Sequence, residues 1–190
     1  MESLRFAAPV ERRVGLITGG ARGLGGATAL RLAEAGRDIV IVDQLKEQAQ
    51  ETVSKVEEMG QKAIFVQADV SVESEVQAAV AKGVEVFGRL DILVCCAGVL
   101  GWEKSFFDQT AEQFAKVMAI NVNGAYYAHQ AAVPHMLEGG WGRCVTISSG
   151  ARNGSANQIP YSVSKGAVLS LIKSLGNIWP KQGVFVNGVE

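Results

Sequence analysis

Tyr161 and Lys165 stand four residues apart in Tyr161-Ser162-Val163-Ser164-Lys165, and Ser148 lies thirteen residues before the tyrosine. On a helix this i,i+4 spacing brings the phenol and the ammonium onto one face, where the positive charge favours the phenolate. A tyrosine placed this way can exchange a proton with an alcohol or a carbonyl near neutral pH. A second group opens the chain: Thr18-Gly19-Gly20-Ala21-Arg22-Gly23-Leu24-Gly25. Its glycines let backbone approach a pyrophosphate, and a helix start directly behind them offers free N–H groups and a partial positive charge. That is a seat for a dinucleotide able to take or give a hydride. Neither group decides alone, since a buried helix tyrosine, a strand-end serine and a tight glycine turn all have ordinary structural explanations.

The elements that must position these residues alternate between strand and helix patterns, which predicts a doubly wound parallel sheet of the Rossmann type, an α/β fold in a single domain over residues 1–190. Val14 to Thr18 is a short apolar strand running into the glycine turn, and Gly25 to Ala35 follows as a helix stopped by Gly36. Strands are expected at Asp38 to Val42, Lys62 to Gln67, Leu90 to Cys96, Arg143 to Ile147 and Val184 to Val189. Between them lie a charged helix from Lys46 to Met59 and a helix capped by Ser71 that runs to about Phe87. Thr110 with Gln113 forms a capping-box pattern opening one long helix toward Leu137. The fifth strand delivers Ser148, and a last helix from Ile159 to Asn177 carries Tyr161 and Lys165.

The glycine turn gains specificity from its surroundings. It follows a strand, opens a helix, and is succeeded by Asp43 at the end of the next strand, where a carboxylate can accept hydrogen bonds from adenosine ribose hydroxyls. A 2′-phosphate about 4 Å from Asp43 would be repelled by roughly 4 kcal/mol per charge pair at an effective dielectric near 20. NAD is therefore favoured over NADP. Arg22, inside the turn, is the opposing feature, because a guanidinium there can pair with a 2′-phosphate.

Composition narrows the classes further. A chain of 190 residues, 48% hydrophobic with a formal net charge of −1, is long enough for one full core and carries no charge run that would suit nucleic acid. Its apolar runs are strand-length, too short for a bilayer, and Met1 to Glu11 lacks the apolar stretch of a secretory signal. A cytoplasmic location without membrane partners is the expectation. Cys95, Cys96 and Cys144 are too few for a disulfide framework and wrongly spaced for zinc, so no metal is expected and buried spectator thiols are. Neighbouring Cys95 and Cys96 should point to opposite faces of their strand. His129 and His135 are read as surface or partly buried residues.

With both groups in place, the chain resembles the short-chain dehydrogenase/reductase family from Val14 to its last residue. The pattern Thr-Gly-x-x-x-Gly-x-Gly is met by Thr18, Gly19, Gly23 and Gly25, and the acid that marks NAD preference by Asp43. Asp69 and Val70 match the short motif near the adenine ring, and Ala97 and Gly98 the small residues that let the cofactor pass close to the backbone. Asn121, Ser148, Tyr161 and Lys165 match the four catalytic members. The resemblance implies Tyr161 as general acid and base and Ser148 as the group orienting the substrate oxygen. It implies Lys165 as the partner of tyrosine and ribose, and Asn121 as the holder of a water linking Lys165 to solvent.

The chain departs from the family pattern in two places. Cys95 and Cys96 replace a pair of asparagines, exchanging amides for weakly bonding thiols. After Val189 and Glu190 the family continues into a Pro-Gly turn, a substrate lid and a last strand, so a fold shortened before those parts is expected here. The resulting expectation is an NAD-dependent alcohol dehydrogenase or carbonyl reductase acting on a small secondary alcohol or ketone. A 3-oxoacyl-carrier-protein reductase using NADPH is the alternative within the family, and a catalytically silent cofactor-binding or interaction protein the alternative outside it. Family members are commonly dimers or tetramers, which makes a homodimer or homotetramer the expected assembly, with Ala131 to Val133 and Val168 to Leu175 as its apolar faces.

Overall fold

Short apolar runs of strand length, rich in β-branched residues and bounded by turns, suit buried parallel strands, and six of them form one sheet. In the computed structural model, which describes residues 12–101 and 105–190, these are β1 (Val14–Thr18), β2 (Asp38–Asp43), β3 (Ala63–Gln67), β4 (Ile92–Cys95), β5 (Gly142–Ile147) and β6 (Val184–Val189). All neighbours are parallel, in the order β3-β2-β1-β4-β5-β6. The order reverses between β1 and β4, and in such sheets a crevice opens there, outside the carboxyl ends of the strands. The reading of Met1 to Glu11 lies outside the described residues.

Alternate strand residues feed two cores. Ile17, Ile39, Ile41 and Val94 pack with Ala29 and Ala33 of α1 (Gly23–Glu34) and with Ala49, Val53 and Val56 of α2 (Lys46–Glu58). On the other face, Leu16, Val40, Leu93 and Cys144 meet α3 (Glu73–Phe87) and α5 (Gly124–Glu138), and Leu171 and Leu175 of α6 (Ile159–Gly176) pack against the same cluster. Ile17, Ile39 and Ile41 are fully buried; truncating any one of them to alanine would cost about 2–5 kcal/mol. At the opposite end of the sheet from the crevice, the Asp91 carboxylate accepts two bonds from Arg89, at 2.8 and 2.9 Å, and the Val14 N–H at 2.9 Å. This stitches the start of β1 to the entrance of β4.

On β6, Val184 and Val186 are buried toward α5 and α6, whereas Phe185 and Val189 on the other side are 40% and 55% exposed. Three expectations are corrected. Ser71 does not cap α3. Val72 occupies that position without a side-chain bond, while the Ser71 N–H and hydroxyl both donate to Asp69 Oδ1 at 2.8 and 2.7 Å. The single helix toward Leu137 is three segments: α4 (Ala111–Met118), opened by the expected Thr110–Gln113 capping box, a π-helical turn at Ala119–Asn123, and α5. Finally, Ala132, Val133, Val168 and Ile172 are buried against the sheet, so the outward-facing apolar residues of α5 and α6 are Tyr126 and Val163, followed by Ile178 beyond the end of α6.

His129 is also no surface residue. It is 2% exposed; its Nδ1 lies 2.7 Å from the Ala125 carbonyl, which only accepts, so the proton sits on Nδ1. Nε2 faces the Thr146 hydroxyl at 3.5 Å. Burial lowers its pKa below the ordinary 6.5, against the pull of the Ala125 carbonyl. Below that value the unfolded chain binds a proton that the folded chain resists. The stability contributed by neutral His129 is therefore complete above about pH 6.5 and is lost as pH falls through the folded-state value, at no more than about 1.4 kcal/mol per pH unit. Urea unfolding at about pH 7 and pH 5 should show a drop in midpoint that His129→Gln reduces; an equal drop in both proteins would assign the acid sensitivity elsewhere.

Candidate active site

The crevice between the carboxyl ends of β1 and β4 is a groove of about 520 Å³. Its floor is the glycine turn. Gly19 has φ +68° and a Cβ there would lie 2.7 Å from Ala97 N, while a Cβ on Gly25 would lie 2.1 Å from the Gly19 carbonyl oxygen. The turn thus closes backbone against backbone, and any side chain at these two positions would push it open. Behind it, the first turn of α1 holds no acid and Arg22 provides no side-chain cap, so its N–H groups remain for an anion. Gly23, Leu24 and the exposed Arg22 line the same groove. These residues fit a dinucleotide pyrophosphate.

Asp43 ends β2 at the groove wall with its carboxylate already oriented. Oδ2 accepts the Ala21 N–H at 3.0 Å and Oδ1 the Leu45 N–H at 3.1 Å. Both oxygens retain lone pairs for ribose hydroxyls. These two bonds also hold the carboxylate in place, which opposes the rotation that Arg22 would need to take a 2′-phosphate alone. Beyond β3, Asp69 and Val70 line the far end. The Asp69 carboxyl is held below its ordinary range, chiefly by the Ser71 hydroxyl, and its backbone N–H is taken by Glu75 at 2.7 Å.

The opposite wall is Cys96-Ala97-Gly98 at the end of β4. Cys95 and Cys96 do face opposite cores, as their adjacency requires: Cys95 is buried on the α5 side, and Cys96 packs toward α1 and lines the groove. Burial pushes the Cys96 thiol up to about 11 and Cys144 to about 12, and raises Cys95 further. Held above neutrality in this way, all three pack as apolar thiols, Cys95 and Cys96 at the positions where the family carries amides. Among the described residues no cluster of potential metal ligands occurs.

Next to this wall, the end of β5 and the first turns of α6 carry Ser148, Tyr161 and Lys165. Ser148 follows β5, is 6% exposed, and its hydroxyl is buried without a hydrogen-bond partner. Lys165 is 6% exposed; its Nζ donates to the Ile147 carbonyl at 2.7 Å, beside Ser148, and sits 5.5 Å from the centre of the Tyr161 ring. Burial lowers the lysine pKa, opposed by the neighbouring cysteines. Asn121, on the π-helical turn, is 2% exposed. Its side chain binds Val99 at both N–H (2.8 Å) and C=O (2.9 Å) and gives its second Nδ2 hydrogen to Ser164 Oγ at 2.9 Å. With both hydrogens committed, the amide itself has no donor left for a water.

Gly19, Arg22, Gly23, Leu24, Gly25, Asp43, Asp69, Val70, Ala97 and Gly98 line the groove itself, whereas Asn121 and Lys165 lie behind its wall at Gly98. Sequence reasoning missed Gln44, Leu45, Val99, Lys116 and Ile120, which also line the groove. Leu45 and Gln44 had a signal in their adjacency to Asp43. Ile120 had the same kind of signal in its adjacency to Asn121, and Lys116 had none, because only the path of α4 brings it there.

Comparison with known proteins agrees with this architecture. The family model for the short chain dehydrogenase matches residues 13–190. The short-chain reductase protein NovJ of Streptomyces niveus is 35% identical over 179 residues, covering 94% of this chain and 68% of the relative. A 2-dehydro-3-deoxy-L-rhamnonate dehydrogenase (NAD(+)) of Sphingomonas sp. (strain SKA58) is 34% identical over 185 residues, covering 97% of this chain and 73% of the relative. Among solved structures, NAD+-bound xylitol dehydrogenase superposes with a TM-score of 0.89 at 34% identity, covering 93% of this chain and 68% of that one. Together with the parallel sheet, the glycine turn and the Ser148, Tyr161 and Lys165 cluster, these matches place the chain in the short-chain dehydrogenase family of oxidoreductases.

Proposed function

We propose that the protein is an NAD-dependent oxidoreductase interconverting a secondary alcohol and its ketone, with Tyr161 as the proton-transfer group. The observation that carries this reading is the buried, unpartnered Ser148 hydroxyl directly after Ile147, whose carbonyl holds the Lys165 ammonium 5.5 Å from the Tyr161 ring centre and behind the groove wall at Gly98. Ser162 Oγ is buried without a partner as well, so what singles out Ser148 is its place directly after the Ile147 carbonyl that holds Lys165. Bound NAD supplies the nicotinamide carbon that accepts or returns the hydride. Ser148 donates to the substrate oxygen and fixes the direction of the carbonyl. Tyr161 Oη delivers the proton to that oxygen in reduction and removes it in oxidation. Lys165 stabilises the negative charge left on Tyr161; one of its three hydrogens is used by Ile147, leaving two for ribose hydroxyls. Asn121 holds Val99 and Ser164 with its amide, and the family resemblance gives it the positioning of a water between Lys165 and solvent.

Asp43 supports NAD over NADP by its charge and fixed orientation, and NAD is the nucleotide named for the Sphingomonas dehydrogenase and for the xylitol dehydrogenase structure. The same carboxylate weighs against an NADPH-linked acyl-carrier reductase. The exposed Tyr126, Val163 and Ile178 support pairing with a second copy as a homodimer or homotetramer. Three free thiols suit a reducing, cytoplasmic setting. The test is reduction of NAD+ by a panel of small secondary alcohols. Turnover with at least one is expected; a protein that binds NADH and turns over none of the alcohols or matching ketones would instead be a silent cofactor-binding protein.

A further inference from the structure

We infer that Ser164 is a positioning residue, whose buried hydroxyl clasps Asn121 to the turn of α6 that carries Tyr161 and Lys165. The clasp holds the groove wall at Gly98 and Val99 in register with the proton-transfer pair. Ser164 is 0% exposed, its Oγ donating to the Tyr161 carbonyl at 2.7 Å and accepting from Asn121 Nδ2 at 2.9 Å. Helix formation does not call for a hydroxyl here. Alanine is the better helix former, and a serine bonded back to its own helix is neutral to unfavourable. What the hydroxyl does uniquely is accept from Asn121, because its own hydrogen is turned to Tyr161 and its lone pair is thereby aimed outward from α6.

Asn121 carries the link onward. Its amide grips the N–H and the C=O of Val99, so the segment after β4 is tied through one side chain to α6. A Cβ on Gly98 would lie 3.3 Å from Asn121 Oδ1 and 3.9 Å from Lys165 Nζ, which places the groove wall, the asparagine and the lysine in one packed unit. The π-helical turn at Ala119–Asn123 is what seats Asn121 inside, since a turn with one extra residue shifts the facing of the side chains after it. Three separate chain segments are therefore joined in series, Val99 to Asn121 and Asn121 to the buried Ser164 hydroxyl. Displacement of a reacting group by about 1 Å can cost up to a hundredfold in rate, so loosening this junction should appear in catalysis rather than in cofactor affinity.

The inference rests on the proton-transfer reading of Tyr161 and Lys165, and its test separates the two. Ser164→Ala, Ser164→Thr, Asn121→Ala and the double alanine variant are compared in kcat and KM with NAD+ and a secondary alcohol. Ser164→Ala should lower kcat about tenfold with little change in KM for NAD+. The double variant should be no slower than Asn121→Ala, and Ser164→Thr should recover most of the rate. Losses that multiply would show that Ser164 acts independently of Asn121 and overturn the inference. A second arm needs no turnover: in the NADH-bound protein, hydrogen exchange at the Val99 amide, which donates to Asn121 Oδ1, should quicken in Ser164→Ala. Unchanged exchange there overturns the clasp. If the wild type turns over nothing and Val99 still quickens, the clasp stands and the dehydrogenase reading falls.

Discussion

Tyr161→Phe should abolish turnover while NADH binding persists, with kcat falling about a thousandfold. The substitution removes one oxygen and nothing else of size. Tyr161 lies in the first turn of α6, after Pro160, and is only half-buried, so the fold does not depend on its hydroxyl. Lys165 still finds the ring face and the Ile147 carbonyl, and its ammonium stays in place. What disappears is the atom proposed to move the proton, so on this reading Ser148 could still orient a substrate oxygen but nothing would pass the proton on. Steady-state rates beside an NADH fluorescence titration check both halves at once. Retained activity would remove the acid/base role from Tyr161.

Asp43→Ser should shift preference from NADH toward NADPH by about a hundredfold, somewhat less than the roughly 4 kcal/mol per charge pair estimated for a 2′-phosphate near the carboxylate. The shift falls short of that figure because the groove is open to water and the charge is partly screened. Serine keeps one acceptor for the Ala21 or Leu45 N–H that Asp43 now satisfies, so the turn after β2 should survive. Arg22, exposed at the lip of the groove, then meets the phosphate with no carboxylate beside it. Parallel titrations with NADH and NADPH report the ratio. An unmoved ratio would mean that Asp43 is not the ribose ligand.

The parts of this protein legible from sequence are those set by local chemistry. Buried parallel strands have to be continuous apolar runs, and Val14–Thr18 and Asp38–Asp43 are such runs, so the sheet could be drawn within a residue or two. The glycine turn was readable because Gly19 and Gly25 exclude every side chain for reasons of backbone contact. The features that escaped depend on packing between distant segments. Periodicity across Thr110 to Leu137 reads as one helix, and the π-helical turn is visible only where Asn121 reaches Val99 and Ser164. Ser71 carries a good capping side chain, yet Asp69 two residues earlier competes for it and wins both of its donors. His129 looks like a surface residue until its ring is enclosed between Ala125 and Thr146. Ser164 sits inside the very motif that drew attention to Tyr161 and Lys165, and nothing in its spacing announces a partner on the π-helical turn before α5.

The most direct test of the account follows the hydride itself. A secondary alcohol that the wild type oxidises is supplied with deuterium on its carbinol carbon, and NAD+ is reduced in a single turnover. Deuterium should appear at C4 of the nicotinamide, with the hydroxyl proton lost to solvent by way of Tyr161. Deuterium released to water, or ketone formed without reduced NAD, would contradict the assignment of this site to hydride transfer.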